Sequence, residues 1–107
     1  ATAAIGQGKL IQLFEKNFTK HHLHAAQILL TRADFEDRRR YLNIERTLSA
    51  LHKMGAVPII NENDTVAVDE IRFGDNDLIG ALVTNLVHAD LLVILTVVDG
   101  LLDKQGR

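Results

Sequence analysis

Two short clusters of amide and carboxylate side chains are the residues of this chain best suited to chemistry. Residues 61–64 read N-E-N-D after an apolar run, and residues 75–77 read D-N-D before a helical pattern. A carboxylate attracts an ammonium group, whereas the free N–H groups at a helix N-terminus attract a carboxylate or a phosphate. Asp64 and Asn76 would therefore bracket a molecule that carries both charges, such as an amino acid.

The same residue types allow two other interpretations. Asp75 and Asp77 offer hard oxygen donors, which could orient a cationic partner or a water molecule in the outer shell of magnesium. Asn and Asp are also typical of turns and helix caps, and an isolated Asp-Asn-Asp at a helix start is usually a cap. Because both clusters lie at the ends of elements of one predicted sheet, the pair favours a ligand site.

The first half of the chain alternates helical and extended patterns. A helix is predicted over residues 7–18, beginning at the glycines of Gly6-Gln7-Gly8, and the apolar run at 25–31 is typical of a buried strand. A second helix is predicted from the charged stretch at 34 to residue 54, where Gly55 ends it. Residues 57–60 then form a second predicted strand, with Pro58 near its start.

The second half continues this alternation. Residues 66–73 suggest a short extended excursion or hairpin. A third helix follows Gly74, with Asp75 or Asn76 as its cap and apolar residues at three- and four-residue steps as far as Val87. Residues 91–95 are a nearly continuous apolar run that predicts a third strand, and Asp99-Gly100 marks the turn after it.

The order of these elements predicts an α/β fold. Helices that alternate with strands imply right-handed crossovers and a parallel sheet covered by helices. Ligands of such sheets collect beyond the carboxyl ends of the strands, where the following helices begin. Both polar clusters satisfy this rule.

Composition excludes several classes of protein. At 107 residues, with 47% apolar and 24% charged residues, the chain has the length and balance of one globular domain. A net charge of −2 gives no electrostatic basis for binding nucleic acid or an anionic membrane. The absence of cysteine excludes disulfides and Cys-based zinc sites and suits a reducing cytoplasm. No apolar run has the length of a membrane span, and the first residues lack a signal-peptide pattern.

The residues of both clusters also carry a family resemblance. The stretch V-P-I-I-N-E-N-D-T-V-A-V-D-E-I-R-F-G-D-N-D at 57–77, followed by D-L-L-V-I-L-T at 90–96, resembles the glutamate 5-kinases (gamma-glutamyl kinases) of the amino-acid kinase family. The resemblance continues backward through residues 27–43 and 3–13, so it covers essentially the whole chain. It implies a three-layer α/β/α sandwich with a mainly parallel sheet.

The resemblance also implies an activity and a set of site residues. These kinases transfer the gamma-phosphoryl group of ATP, with Mg²⁺, to the side-chain carboxylate of glutamate and so begin proline synthesis. Asp64 and Asn76 match the glutamate-binding positions, and Asn61, Asp75 and Asp77 match polar residues of the same pocket. Thr96 matches the start of the nucleotide-binding part. No residue of this chain matches a catalytic lysine, and none is assigned as a metal ligand.

The chain also departs from the family pattern. Val97 stands where the family usually has an aspartate, which leaves one nucleotide contact in doubt. The N-terminal Lys-x-Gly-Thr phosphate loop, the serine-glycine loop and the later glycine-rich segment are missing. We therefore expect residues 1–107 to be the central part of an amino-acid kinase domain, truncated at both ends, inactive alone and part of a homo-oligomer. Another amino-acid kinase or a non-catalytic binding or assembly module remains an alternative.

Two further groups of residues favour structural interpretations. Arg38-Arg39-Arg40 follows acidic residues, an order that supports an exposed helix face. The three histidines of residues 21–24 lack acidic partners at metal-ligand spacing and are predicted to lie in a loop.

Overall fold

The computed structural model describes residues 2–66, 73, 75–98, 100 and 103–106. Helices and strands alternate along the described chain, except that two helices follow each other between the strands. In chain order, the elements are α1 (Thr2–Thr19), β1 (His24–Leu30), α2 (Arg32–Glu36), α3 (Arg38–Lys53), β2 (Ala56–Glu62) and α4 (Asn76–Leu86).

The two strands form a parallel pair. His24 of β1 lies opposite Ala56 of β2, and the register continues to Leu30 opposite Glu62. The backbone N–H of Asn63 donates to the Leu30 carbonyl at 2.8 Å, so the pairing extends one residue beyond β2. A parallel pair joined through helices is an α/β arrangement, as the sequence predicted.

Apolar side chains from β1, α3 and α4 form the core. Leu30, Ile44, Leu48 and Leu86 are buried together, and Leu86 is the most enclosed, with 1% of its surface exposed. Partly buried apolar and aromatic residues surround them: Ile28, Phe35, Tyr41, Ile60 and Val83. Burial of a leucine-sized side chain contributes roughly 1.5–3 kcal/mol, so this cluster holds α3 and α4 against the strands.

The prediction of one continuous helix over residues 34–54 is wrong. Asp37 adopts extended backbone angles, φ −90° and ψ 121°, and separates α2 from α3. Its carboxylate accepts a hydrogen bond from the Arg40 N–H at 2.9 Å. An aspartate that caps the next helix must leave helical geometry, and this requirement breaks the periodic pattern.

The first helix begins earlier than predicted. It starts at Thr2, and both Gly6 and Gly8 lie inside it rather than at its N-terminus. A Cβ atom at either glycine would meet nothing within 4 Å, and neither glycine has a positive φ. The helix therefore tolerates the cost of about 1 kcal/mol for each glycine.

The predicted strand at residues 91–95 does not form. These residues are irregular and exposed, with Leu95 at 94% exposure. A strand requires a neighbour for its N–H and C=O groups, and within the described ranges β1 and β2 pair only with each other. The apolar run shows that this segment suits a buried strand, but a strand forms only where a neighbouring strand can pair with it.

The predicted elements at β1, β2 and α4 agree with the structure to within one or two residues at each end. β2 extends two residues beyond the predicted strand, with Pro58 opposite Ala26 in its interior, and α4 begins after the Asp75 cap. The predicted excursion lies mostly outside the described residues, as does Asp99. Gly100 has φ 149°, which favours glycine. None of the helices in the described part has the length and apolarity that crossing a membrane requires.

Candidate functional site

The first polar cluster straddles the end of β2. Asn61 and Glu62 belong to the strand, and the Asn61 side-chain oxygen accepts a hydrogen bond from the Glu62 N–H at 2.9 Å. Asn63 accepts from the Thr65 hydroxyl at 2.6 Å. Asp64 lies in the turn that follows, and its side chain is exposed. Asp64 is thus placed to meet a solvent-borne ligand, whereas the oxygens of Asn61 and Asn63 serve local contacts.

The second cluster forms the start of α4. Asp75 is the N-cap, and its carboxylate accepts a hydrogen bond from the Asp77 N–H at 2.9 Å. Asn76 and Asp77 occupy the first turn, and both are exposed. The cap interpretation is therefore correct for Asp75. Asn76, Asp77 and the free N–H groups of the first turn remain available to a ligand.

A buried hydrogen bond joins the first cluster to the backbone just before the second cluster. The Glu62 carboxylate accepts a hydrogen bond from the Phe73 N–H at 2.9 Å, across eleven positions of sequence. Glu62 lies two residues before Asp64, and Phe73 lies two residues before Asp75. The contact therefore ties the backbone two residues before the second cluster to the end of β2.

Two further contacts hold this junction in place. The Gln7 side-chain amide of α1 donates to the Glu62 backbone carbonyl at 3.1 Å, and both residues are buried. The Phe73 ring packs edge-on against Phe35 of α2, with centroids 5.6 Å apart. Sequence reasoning missed the role of Glu62, Gln7 and Phe73. The sequence did contain one indication that Glu62 is buried. Glu62 lies two residues after Ile60 in the same strand, so both side chains point to the same face, and Ile60 packs against the core.

A small cavity adjoins the start of α4. It has a volume of about 240 Å³, and Asn76 is the one predicted site residue that lines it. Its other walls are mainly apolar and include Ile60, Ile79 and Leu92. Asn76 and Thr84 are its polar side chains, and neither carries a charge, so the cavity alone does not explain recognition of two opposite charges.

The largest of the described cavities lies elsewhere. It has a volume of about 630 Å³ between α3, β2 and the end of α4, and it contains none of the predicted site residues. Glu45, His52, His88 and Asp90 lie around it, but the described residues form no group of three acidic or histidine side chains that could hold a metal ion. We therefore base the candidate site on the polar clusters rather than on cavity size.

The hydrogen bond of the Thr96 hydroxyl lies within its own segment of the chain. Its hydroxyl accepts a hydrogen bond from the Val98 N–H at 3.3 Å, and Val97 between them is fully exposed. Within the described ranges, no hydrogen bond joins Thr96 to residues 61–64 or 75–77. Within the described residues, a hydrogen bond thus links the two polar clusters through Glu62 and Phe73, whereas none links them to Thr96.

The other conspicuous residues have structural surroundings. All three arginines of residues 38–40 are exposed, and the Arg40 guanidinium lies 3.5 Å from the Asp34 carboxylate. His21 and His22 lie in the turn after α1, whereas His24 begins β1, 3.6 Å from Glu15. The predicted exposed helix face is therefore confirmed for the arginines, and the predicted loop is correct for His21 and His22 but wrong for His24.

Comparison with known proteins gives a consistent family relationship. The sequence model of the amino acid kinase family matches residues 1–107. The chain is 62% identical over 107 residues to a protein named glutamate 5-kinase from Caldanaerobacter subterraneus subsp. tengcongensis, and it covers 29% of that protein. It is 62% identical over 105 residues to a glutamate 5-kinase from Thermoanaerobacter sp. and covers 28% of it. It is 61% identical over 107 residues to one from Pseudomonas savastanoi pv. phaseolicola and again covers 29%.

Proposed function

Because the chain belongs to the amino acid kinase family, we propose that it forms the acceptor part of a glutamate 5-kinase. The chain spans less than a third of the relatives that it matches, so the rest of the catalytic domain would come from a longer protein. Two features support the proposal: high identity to glutamate 5-kinases over the whole chain, and a polar site suited to an amino acid.

The proposed binding mode follows from the charges of the site. The exposed Asp64 carboxylate would attract the ammonium group of glutamate. The N-terminus of α4 and the Asn76 amide would bind a carboxylate, since this helix end carries a partial positive charge. The observation that carries this assignment is the 2.9 Å hydrogen bond from the Phe73 N–H to Glu62, which joins the bases of the two clusters.

The reaction would be phosphoryl transfer to a carboxylate. An oxygen of the glutamate side chain attacks the gamma-phosphorus of ATP, the bond from that phosphorus to the bridging oxygen breaks, and ADP leaves. Such reactions depend on positioning and charge neutralisation rather than on covalent help from the protein. The role of this chain would therefore be to fix the acceptor, with Asn61, Asp75 and Asp77 as further polar residues of the pocket.

Among the described residues, Asp77 and Thr96 have side chains that suit contacts with magnesium-bound water and with ATP. Bound Mg²⁺ would neutralise charge on the phosphates. It usually keeps several waters and takes one or two protein carboxylates, and the exposed Asp77 carboxylate could accept a hydrogen bond from one of those waters. The exposed Thr96 hydroxyl would contact the nucleotide. We further propose a cytoplasmic, homo-oligomeric enzyme whose product serves proline synthesis.

The test uses a complete enzyme with this chain inside it. In what we call the carrier enzyme, the chain replaces the 107 residues that it matches in the Caldanaerobacter glutamate 5-kinase. We expect this carrier to form ADP in the presence of glutamate, and we expect the isolated chain to form none. Asp64→Ala and Asn76→Ala should each raise the KM for glutamate at least about tenfold, because each removes a hydrogen bond or ion pair to a charged group. The KM for ATP should change less than about twofold, since neither residue faces the nucleotide side.

Matched controls lie close by. Asp90 is an exposed aspartate beyond α4, and Asn85 is an exposed asparagine at the other end of that helix. Their alanine variants should leave both KM values unchanged. Equal effects of Asp64→Ala on glutamate and ATP would contradict the assignment. A carrier that phosphorylates another acid in preference to glutamate would instead indicate a different amino acid kinase, and a carrier that binds glutamate without turnover would indicate a non-catalytic module.

A further inference from the structure

Glu62 is a charged residue in an unusual place. It ends β2, and only 9% of its surface is exposed. Glutamate is almost never this buried unless its carboxylate has partners, because removing a charge from water costs several kcal/mol. The Glu62 side chain therefore has a role that an exposed member of the polar cluster would not have.

The contacts of Glu62 connect three parts of the fold. Its carboxylate accepts the Phe73 N–H at 2.9 Å, and its backbone carbonyl accepts the Gln7 side-chain amide at 3.1 Å. The Phe73 ring is buried against Phe35. Glu62 thus joins β2 to α1 and to the backbone that leads into α4.

The bond to Phe73 is directed at a main-chain group, and this determines what it can control. A side chain that holds a backbone N–H fixes the path of the chain, whatever residue stands at that position. Two residues after Phe73 the chain reaches the Asp75 cap, and α4 begins. The bond from β2 thus constrains the backbone at a point two residues before the Asp75 cap.

We propose that Glu62 is a positioning residue, which sets the distance between Asp64 and the N-terminus of α4 through its hydrogen bond to Phe73. The proposal rests on the proposed function, in which these two groups hold the two charges of glutamate. A site that binds both charged groups of one small molecule is sensitive to the distance between its own binding groups. A displacement of about 1 Å can reduce the rate about a hundredfold. Glu62 acts through the backbone and does not touch the substrate.

Two conservative variants of the carrier enzyme distinguish the effect of the Glu62 side-chain length from the effect of its charge. Glu62→Gln keeps the length of the side chain and an oxygen that can accept the Phe73 N–H, but it removes the charge. Glu62→Asp keeps the charge, but it is one methylene too short to reach Phe73. We expect Glu62→Asp to raise the KM for glutamate about tenfold while the KM for ATP changes less than about twofold, and we expect Glu62→Gln to stay within about threefold of the parent.

Hydrogen exchange at the Phe73 amide gives a second readout. Loss of its acceptor should speed exchange in Glu62→Asp by about tenfold or more, and Glu62→Gln should retain most of the protection. Glu62→Ala should resemble Glu62→Asp in both measurements. Because Glu62→Asp retains a carboxylate in the same region, it is the variant to use if Glu62→Ala does not fold.

The outcomes distinguish this inference from the proposed function. If Asp64→Ala raises the KM for glutamate but Glu62→Asp does not, the proposed function stands and the positioning role is wrong. If Glu62→Gln is as impaired as Glu62→Ala while Glu62→Asp is normal, Glu62 acts through its charge, which also overturns the proposal. If neither Asp64→Ala nor Asn76→Ala affects glutamate, the proposed function itself fails.

Discussion

Val97 exposes its entire side chain, at 103% of its reference surface, although it lies beside Thr96 on the predicted nucleotide side. The pattern that this chain resembles has an aspartate at this position. In the isolated chain this valine makes no packing contribution that a substitution could remove, so a replacement should leave the fold of these 107 residues intact. In the carrier enzyme, a change in the KM for ATP with an unchanged KM for glutamate would report on the nucleotide site.

We expect Val97→Asp in the carrier enzyme to lower the KM for ATP. The new carboxylate adds an oxygen acceptor on the nucleotide side, and a hydrogen bond that involves a charged group contributes about 1.5–3 kcal/mol, enough for about a tenfold change. The KM for glutamate should not move. Val97→Asn, which matches the shape without the charge, is the control. An unchanged or higher KM for ATP in Val97→Asp would show that this position does not face the nucleotide.

The polar residues show which features of single residues can be predicted from the sequence. The cap at Asp75 follows from residue type and neighbours, and the sequence predicted it as an alternative to a ligand role. The bond between Glu62 and Phe73 spans eleven positions, and no local rule predicts which backbone group a buried carboxylate will meet. The ligand roles of all six site residues stay predictions: Asn61, Asp64, Asp75, Asn76, Asp77 and Thr96.

Among the elements, α4 combines structural and proposed binding roles in its first turn. Asp75 caps the helix, whereas Asn76 and Asp77 are exposed. An acidic first turn interacts favourably with the helix dipole, so Asp77 stabilises α4 even without a ligand. Substitution at Asp75 should therefore destabilise the helix start whether or not Asp75 also contacts the ligand.

Asp75→Ala in the carrier enzyme should weaken the start of α4 by about 1 kcal/mol, because alanine cannot accept the Asp77 N–H. Hydrogen exchange of the Asp77 amide, which donates to the Asp75 carboxylate, should be about fivefold faster, as opening becomes easier by that amount. Asp75→Ser should keep the protection, since serine is an equally good N-cap. Fast exchange in the serine variant as well would mean that the carboxylate charge, rather than the cap hydrogen bond, stabilises this turn.

Elements were predictable where local chemistry and packing agree. β1, β2 and α4 have both the right pattern and a partner in the core. The break at Asp37 was not predicted, because the apolar stripe of α3 and the charges of α2 read as one helix until the cap geometry is known. Residues 91–95 have the composition of a buried strand, but composition does not provide the neighbouring strand that they need.

For the whole molecule, the main consequence is an exposed apolar segment. Leu91, Val93, Leu95 and Val98 all lie more than half exposed, after a helix whose other end borders the candidate site. Apolar surface of this extent usually marks a place where another part of the protein or another chain packs. The relatives are more than three times the length of this chain, and the remainder of such a protein would be available to cover it.

We therefore expect the isolated chain to associate with itself, because exposed apolar residues lower their free energy when they leave water, by about 25 cal/mol for each Å². Light scattering should show a mean mass that rises with protein concentration. Replacing Leu91, Val93 and Leu95 together with serine should shift the chain toward the monomer, whereas Leu13→Ser, at an exposed leucine of α1, should have little effect. A monomeric mass at all concentrations, together with a cooperative thermal transition, would show that the described elements form a self-sufficient domain and that this segment needs no cover.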